Sequence, residues 1–523
     1  MIQFKDIVKI ALLTSAFFVL DMAVFGQKGT LELLPGSEKL GYDEKTGTHR
    51  LVGSVNFNYQ GNTMYCDSAH YRDKSQEVRA YGNVHIVKDD INLYCDSLYY
   101  NGKTRKAKLW GHVRARDREY KLSTDTLEYD TKLSQGVYRH GGKIESITSN
   151  EVLTSRVGYF YPDSKSFFFS GKVKYKKDDL RMTTDTLQYI YSKQTTYFFG
   201  PTTIVKDSTT MYCERGWYNI ETEEGSLIRK ARIEQQARII KGDTLLYQPQ
   251  KGRSIGKGNV YFIDTLEKTI LKGNYGENLE NEYRSWMTGN AGAALIRDKD
   301  TIYIEADTLL NQNDSLNKLL YTKAYQSARV FNTSVQARAD SLFYSKVEGR
   351  MELFREPIVW SNKSELKGDS ITVMLNDTVV ESVYIRENST VIMEVDSGAY
   401  YNQLAGQQIR GKFIEGDLKR TDISGSAITI FYPTDQEESD STVTIKRMGM
   451  NRIYASELRI YIDSGEVTGV TYFDKPDGVF YPIDQLPEKE KFIRNFILKG
   501  TSRPKKEEFV GYFEEKENEG RKE

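Results

Sequence analysis

Polar and apolar residues alternate with a period of two along much of this chain. In GKVKYK (Gly171 to Lys176), Val173 and Tyr175 alternate with Lys172, Lys174 and Lys176; in HVRARDR (His112 to Arg118), Val113 and Ala115 alternate with Arg114, Arg116 and Arg118. Successive side chains of a β-strand point to opposite faces, so this pattern predicts half-buried strands. YCDSLYY (Tyr94 to Tyr100) and STDTLEY (Ser123 to Tyr129) behave likewise, placing Leu98 with Tyr100 and Leu127 with Tyr129 on a common face. Segments such as Asn101-Gly102-Lys103 and Lys88-Asp89-Asp90 supply turn chemistry between the runs.

The strands recur in register with one another. One motif reads YCDSAHY (from Tyr65), YCDSLYY (Tyr94), STDTLEY (Ser123), TTDTLQY (Thr183), YCERGWY (Tyr212) and KGDTLLY (Lys241), a spacing of about 29 residues with a degenerate copy, SRVGYFY, from Ser155. A second keeps the same beat: GSV at Gly53, GNV at Gly82, GHV at Gly111, GKI at Gly142, GKV at Gly171, a lone Gly200 and GNV at Gly258. Looser copies follow as ADTLL (Ala306), ADSLFY (Ala339) and GDSITV (Gly368), giving a dozen or more units between about residues 50 and 430. Each unit predicts two or three short strands that cannot bury an apolar face alone. Neighbours must therefore stack, into an all-β, elongated β-solenoid or extended jelly roll spanning roughly 60 to 140 Å at about 5 to 10 Å per unit.

Composition narrows the function. The 523 residues hold 73 Lys+Arg against 73 Asp+Glu, a balance that argues against a nucleic-acid binder, which needs a basic surplus. A 28% charged fraction with 12% aromatics is too rich in core-forming residues for disorder. At the N-terminus, Lys5 and Lys9 precede an apolar run from Ile10 to Leu20 that Asp21 interrupts, the pattern of a secretory signal peptide over residues 1–26, cleaved after Gly26. Strands are expected to continue over 451–480. Pro487 then opens an expected short helix with Phe492, Ile493, Phe496 and Ile497 on one side, capping the stack ahead of a solvated, charged tail.

Catalytic or metal chemistry finds little support. The histidines His49, His70, His85, His112 and His140 occupy differing motif positions, and no Cys/His spacing suggests zinc. The recurrent motif acid is expected to cap turns rather than to form a calcium ladder, which needs acids every nine or so residues. Cys66, Cys95 and Cys213 stand where other copies carry small residues, so a packed slot explains them. The alternative is a disulfide between Cys66 and Cys95, whose equivalent positions in adjacent repeats stacking could bring together. The basic strands around Arg114 and Lys174 read as a solvated outer face, with contact to an anionic ligand as the alternative.

With export signal, G-x-V element and D-S/T-L-x-Y element in phase, the sequence resembles the OstA/LptA group of lipopolysaccharide-transport proteins of the Gram-negative periplasm. GNVHI (from Gly82), YCDSLYY, GHVRA (Gly111), GKVKY (Gly171) and GNVYF (Gly258) carry the resemblance, which is strongest from Gly53 to Tyr261 and weaker to about residue 430. It implies a V-shaped β-jelly roll holding acyl chains inside, with modules joined end to end. The interior lipid-binding positions it implies are Val84, Ile86, Leu98, Tyr100, Val113, Leu127, Tyr129, Val173, Tyr175, Leu187 and Tyr189. The chain is much longer than a minimal module and lacks the long run of amphipathic strands of an outer-membrane translocon.

The expected organisation is a signal peptide (1–26), best-matching repeats (27–295), degenerate repeats (296–485) and a helix cap with a charged tail (486–523). The expected function is that of a non-enzymatic, cofactor-free periplasmic bridge, in places associated with the outer membrane. It would bind lipopolysaccharide or a similar lipid, dock end to end on other transport components or on itself, and bind no nucleic acid. The competing readings are a structural or adhesive β-solenoid with a closed core and no lipid ligand, and a polysaccharide-processing β-helix enzyme.

Overall fold

The computed structural model describes residues 32–513 apart from 60–61, 73, 89–90, 117, 119, 131, 134, 162–165, 297–299, 377–378, 416, 440–441, 464–465 and 495. The expected signal segment 1–26, the last ten residues of the tail and the turn residues Asp89 and Asp90 lie outside the described residues. The chain divides into two compact units, 1–254 and 255–523.

In the N-terminal unit, antiparallel strands of mostly 11 or 12 residues follow one another as a meander. The D-S/T-L-x-Y motif lies on Asn62–Arg72, Ile91–Asn101, Tyr120–Asp130, Leu180–Ile190, Thr209–Asn219 and Arg238–Gln248. The Gly element lies on intervening strands such as Glu77–Lys88 and Lys106–Arg116. One repeat is thus one hairpin.

The two motifs keep phase because they meet at a corner. Gly82 and Asn83 both adopt positive φ (69° and 44°), as do Gly111 and His112 (78° and 46°), and at each pair the register with the neighbouring strand slips. Such a bulge bends a strand. It also resets the alternation, so that Leu93 and Cys95 before the slip and Leu98 and Tyr100 after it all point into one core. Asp67 and Asp96 press on these glycines: a Cβ added at Gly82 or at Gly111 would lie 2.2 Å from the Oδ2 of Asp67 or Asp96. Asp67 Oδ2 accepts a hydrogen bond from Asn83 Nδ2 at 2.9 Å, and Asp96 Oδ2 lies 2.8 Å from His112 Nδ1.

The motif acids therefore brace mid-strand bulges, which corrects the expectation that they cap turns. The turns have their own acceptors. Asn101 Oδ1 accepts from the Thr104 N–H, and Asp130 Oδ1 from those of Lys132 and Leu133.

The C-terminal unit continues with longer antiparallel strands, up to the 17 residues of Val379–Val395. Gly289–Asn290 and Gly425–Ser426 repeat the corner, and at Gln326–Ser327 and Glu387–Asn388 it persists without glycine. Strands Gly449–Asp463, Glu466–Phe473 and Asp477–Pro482 follow where the sequence predicts them.

Beyond them the expected helix is displaced. The described residues of 487–499 contain a single 3-10 turn, Glu488–Glu490, and an α-helix forms at Lys506–Phe513, within the stretch expected to be a solvated tail. The reason is competition for backbone groups. Arg452 Nη1 donates to the carbonyls of Glu490 and Phe492, Gln403 Nε2 donates to that of Lys491, and the Ile493 N–H donates to Gln403 Oε1. Groups so engaged need no helix, whereas Phe509 on the later helix is fully buried against Tyr303 and Phe331.

Candidate functional site in the interior of the N-terminal unit

Ten of the eleven lipid-binding candidates are buried in one core: Val84, Leu98, Tyr100, Val113, Leu127, Tyr129, Val173, Tyr175, Leu187 and Tyr189. Ile86 is half-buried and packs against it. On the strands that carry Leu98, Leu109 and Leu127 the core side chains meet directly. Leu98 pairs across to Leu109 and Leu109 to Leu127, while Ala107 separates Tyr100 from Tyr129, a large–small–large stack.

Around the degenerate copy the packing differs. Two strands are each broken in two there, into Gln135–Tyr138 with Gly142–Ser146 and Val152–Ser155 with Val157–Tyr161. Beside them lies a cavity of about 40 Å³. Tyr175, Leu187 and Tyr189 line it; the other candidates do not. Phe167 and Phe169 complete its aromatic wall, with Phe167 stacked on Tyr189 at 6.4 Å between centroids.

One lining residue carries chemistry that the repeat pattern does not announce. Glu151 follows an exposed hairpin tip (147–150), yet is itself buried at 6% exposure. Its carboxylate accepts hydrogen bonds from the hydroxyls of Tyr120 (3.2 Å) and Tyr175 (3.3 Å). Burial pushes the Glu151 carboxyl above its ordinary pKa, against the opposing pull of Lys177 and of the two tyrosines. The Tyr175 hydroxyl is pushed well up by burial and by the carboxylate beside it. The only sequence signal for this group is negative: an acid ahead of an apolar strand in the degenerate copy SRVGYFY, which carries Arg156 where the other N-terminal copies carry the motif acid.

Cys66, Cys95 and Cys213 are free, buried thiols, and burial raises their pKa to about 12, 12 and 11. The suggested Cys66–Cys95 disulfide is corrected by the hairpin nature of the repeat. The strand Glu77–Lys88 runs between the two cysteine strands. Two strand steps are roughly 10 Å, beyond the ~7 Å Cα separation that a disulfide tolerates. Arg114, Arg116, Lys172, Lys174 and Lys176 point outward and are exposed. Among the described residues no cluster of three His, Cys, Asp or Glu could hold a metal, and no helix is long and apolar enough to cross a membrane.

Residues 34–185 match the family model described as OstA-like protein, and residues 159–253 match that of the LptA/(LptD N-terminal domain) LPS transport protein. No match is found among curated proteins. Among solved structures, one similar chain is LptH, the LptA homologous periplasmic component of the lipopolysaccharide transport device from Pseudomonas aeruginosa, at 13% identity over 20% of this chain and 77% of that one, with a TM-score of 0.18. Through residues 34–253 the two overlapping family models make this part of the chain similar to OstA/LptA-like lipopolysaccharide-transport proteins.

Proposed function

We propose that the protein is a non-enzymatic carrier in lipopolysaccharide transport, which holds acyl chains in the interior of its N-terminal unit and works in the periplasm, at or near the outer membrane. The observation that carries this reading is a coincidence of place: the two family models overlap at residues 159–185, and three of the cavity-lining residues, Phe167, Phe169 and Tyr175, fall within that overlap. Repeats over 27–295 and 296–485 supply length, behind a cleaved signal over 1–26. Jelly-roll ends supply docking sites for other transport components or for a second copy. Transport is driven from elsewhere, since the sequence holds no nucleotide-binding loop.

The test is site-specific photocrosslinking from a probe residue placed at position 187 in cells, with Phe169→Asp, a change in the same cavity wall, as control. Crosslinks to lipopolysaccharide that disappear when Phe169→Asp is added to a folded probe-bearing protein are expected; their absence from the probe-bearing protein without that change overturns the reading.

A second reading has its own support. The Leu98–Leu109–Leu127 stack is closed, with Leu109 fully buried, as a structural β-solenoid would have it. A probe at position 98 that crosslinks no lipid while one at position 187 does would restrict binding to the cavity region; silence at both positions favours the structural solenoid.

A further inference from the structure

The Glu151 carboxyl has no place in a purely apolar acyl-chain site. Burying a carboxylate is unfavourable unless its acceptors are used. An ionised carboxylate offers about four lone-pair sites. Two are taken, by Tyr120 and Tyr175, and the rest of the group borders a cavity whose other walls are phenylalanine, leucine and isoleucine together with Tyr189 and Thr196, whose hydroxyls donate to Gln194 and to the Tyr218 carbonyl. Lys177 already stands as a favourable cation for this carboxylate, with Asp178 opposing. Each carboxylate oxygen thus has one partner, and the group keeps acceptor capacity for a further neutral donor rather than for positive charge.

We propose that Glu151, framed by Tyr120 and Tyr175, is a polar subsite that accepts a hydrogen bond from a hydroxyl borne on an aliphatic chain lodged in the cavity. This deepens the acyl-carrier reading and rests on it for the nature of the ligand. The chain's methylenes lie against Phe167, Phe169 and Leu187 while its hydroxyl donates to the carboxylate. The subsite thus fixes how far a chain slides in, and discriminates hydroxylated from plain chains. Polar readout in a dry pocket is the more selective kind, because a ligand lacking the donor leaves a buried acceptor unsatisfied.

The test is calorimetric titration of the full-length protein with 1-octanol and with n-octane, read as the ratio of the two affinities. That ratio cancels the general attraction of the cavity for hydrocarbon. It is expected to fall about tenfold, the worth of one buried hydrogen bond, from the parent protein to Glu151→Leu, and to be retained in Tyr175→Phe, which removes a competing donor but leaves the acceptor. Glu151→Gln, which keeps the shape and an acceptor oxygen, gives an intermediate ratio and guards against misfolding of the leucine variant. An unchanged ratio in Glu151→Leu, or no binding of either solute, overturns the subsite. Lipopolysaccharide crosslinking from position 187 is read in parallel. Crosslinking with a flat ratio sinks the subsite alone; a shifted ratio without crosslinking sinks the carrier reading alone.

Discussion

The two units solve the same packing problem with different residues. Inward positions of the N-terminal unit carry large rings, among them Tyr100, Tyr129, Tyr138, Phe160 and Phe198, all at 2% exposure or less. Those of the C-terminal unit are rich in alanine: Ala291, Ala293, Ala306, Ala324, Ala328, Ala337 and Ala339 belong to its main core. Rings fill a bent sheet well where small residues alternate with them, as Ala107 does between Tyr100 and Tyr129. Where the strands break at 139–141 and at Arg156, Phe160 meets Phe167 and Phe169 edge-on and the Tyr138 ring lies over Gly142 and Gly158, and a void remains nearby.

The C-terminal unit instead engages the chain's own last segment. Glu365 accepts from the Trp360 indole and the Lys499 N–H, Arg503 Nε donates to the buried Gln336, and Phe509 fills an aromatic niche. The same hairpin repeat thus leaves internal space in one unit and receives a self-contact in the other.

The largest effect that sharpens this contrast is Phe509→Ala. Removing a fully buried ring costs about 3–5 kcal/mol. The loss is expected to be confined to the C-terminal unit, seen as lost amide protection over 487–513 and in the strands around Tyr303 and Phe331. All three cysteines lie in the N-terminal unit, buried and weakly acidic, so thiol labelling reports on that unit alone. Cysteines that stay protected in Phe509→Ala support independent units; rapid labelling breaks the contrast.

Next in size is the shared corner. Alanine at Gly111 must adopt a left-handed φ and meet Asp96, and alanine at Gly289 (φ 74°) would meet Asn274 at 3.1 Å. Each is expected to cost about 1–2 kcal/mol. Gly200→Ala, where φ is not positive and the nearest contact is 3.3 Å from Asp185, is expected to be close to neutral. Chemical denaturation of the three variants checks this. A Gly200→Ala loss as large as the other two would show that crowding, not φ, decides.

These corners also show what was legible from sequence. The strands and the inward face over Leu98, Tyr100, Leu127 and Tyr129 follow from period-two alternation, which backbone geometry enforces locally. The phasing of the Gly and Asp motifs was visible, but its cause was not, because Asp67 and Asn83 meet only across a strand pair. The motif fades in the C-terminal unit for a physical reason. Glu387–Asn388 turns the same corner without glycine, Asn388 Nδ2 still donating to Asp369 at 3.0 Å, so the geometry outlives its sequence mark. Glu151 and the path of residues 487–513 depend on contacts with distant strands, Gln403 and Glu365 among them, which no local pattern encodes.

The smallest expected effect bears on the cavity itself. Tyr120 and Tyr175 donate to Glu151, Lys177 attracts its charge and Asp178 opposes it, and burial prevails, so the folded protein holds this proton more tightly than the unfolded chain. A carboxyl raised in this sense contributes stability that is complete below the ordinary glutamate value of 4.5 and is lost as pH rises through the folded value. Glu151→Gln mimics the protonated group at every pH. It is therefore expected to match the parent protein in acid and to exceed it above that range, by about 0.5–1 kcal/mol at neutrality, a common gain when one local strain is relieved. Denaturant midpoints measured at pH 4 and pH 7 decide the point. A glutamine variant no more stable at pH 7 would mean that Lys177 and the tyrosines fully offset burial, and that Glu151 is part of the packing rather than an acceptor held ready in the cavity of the N-terminal unit.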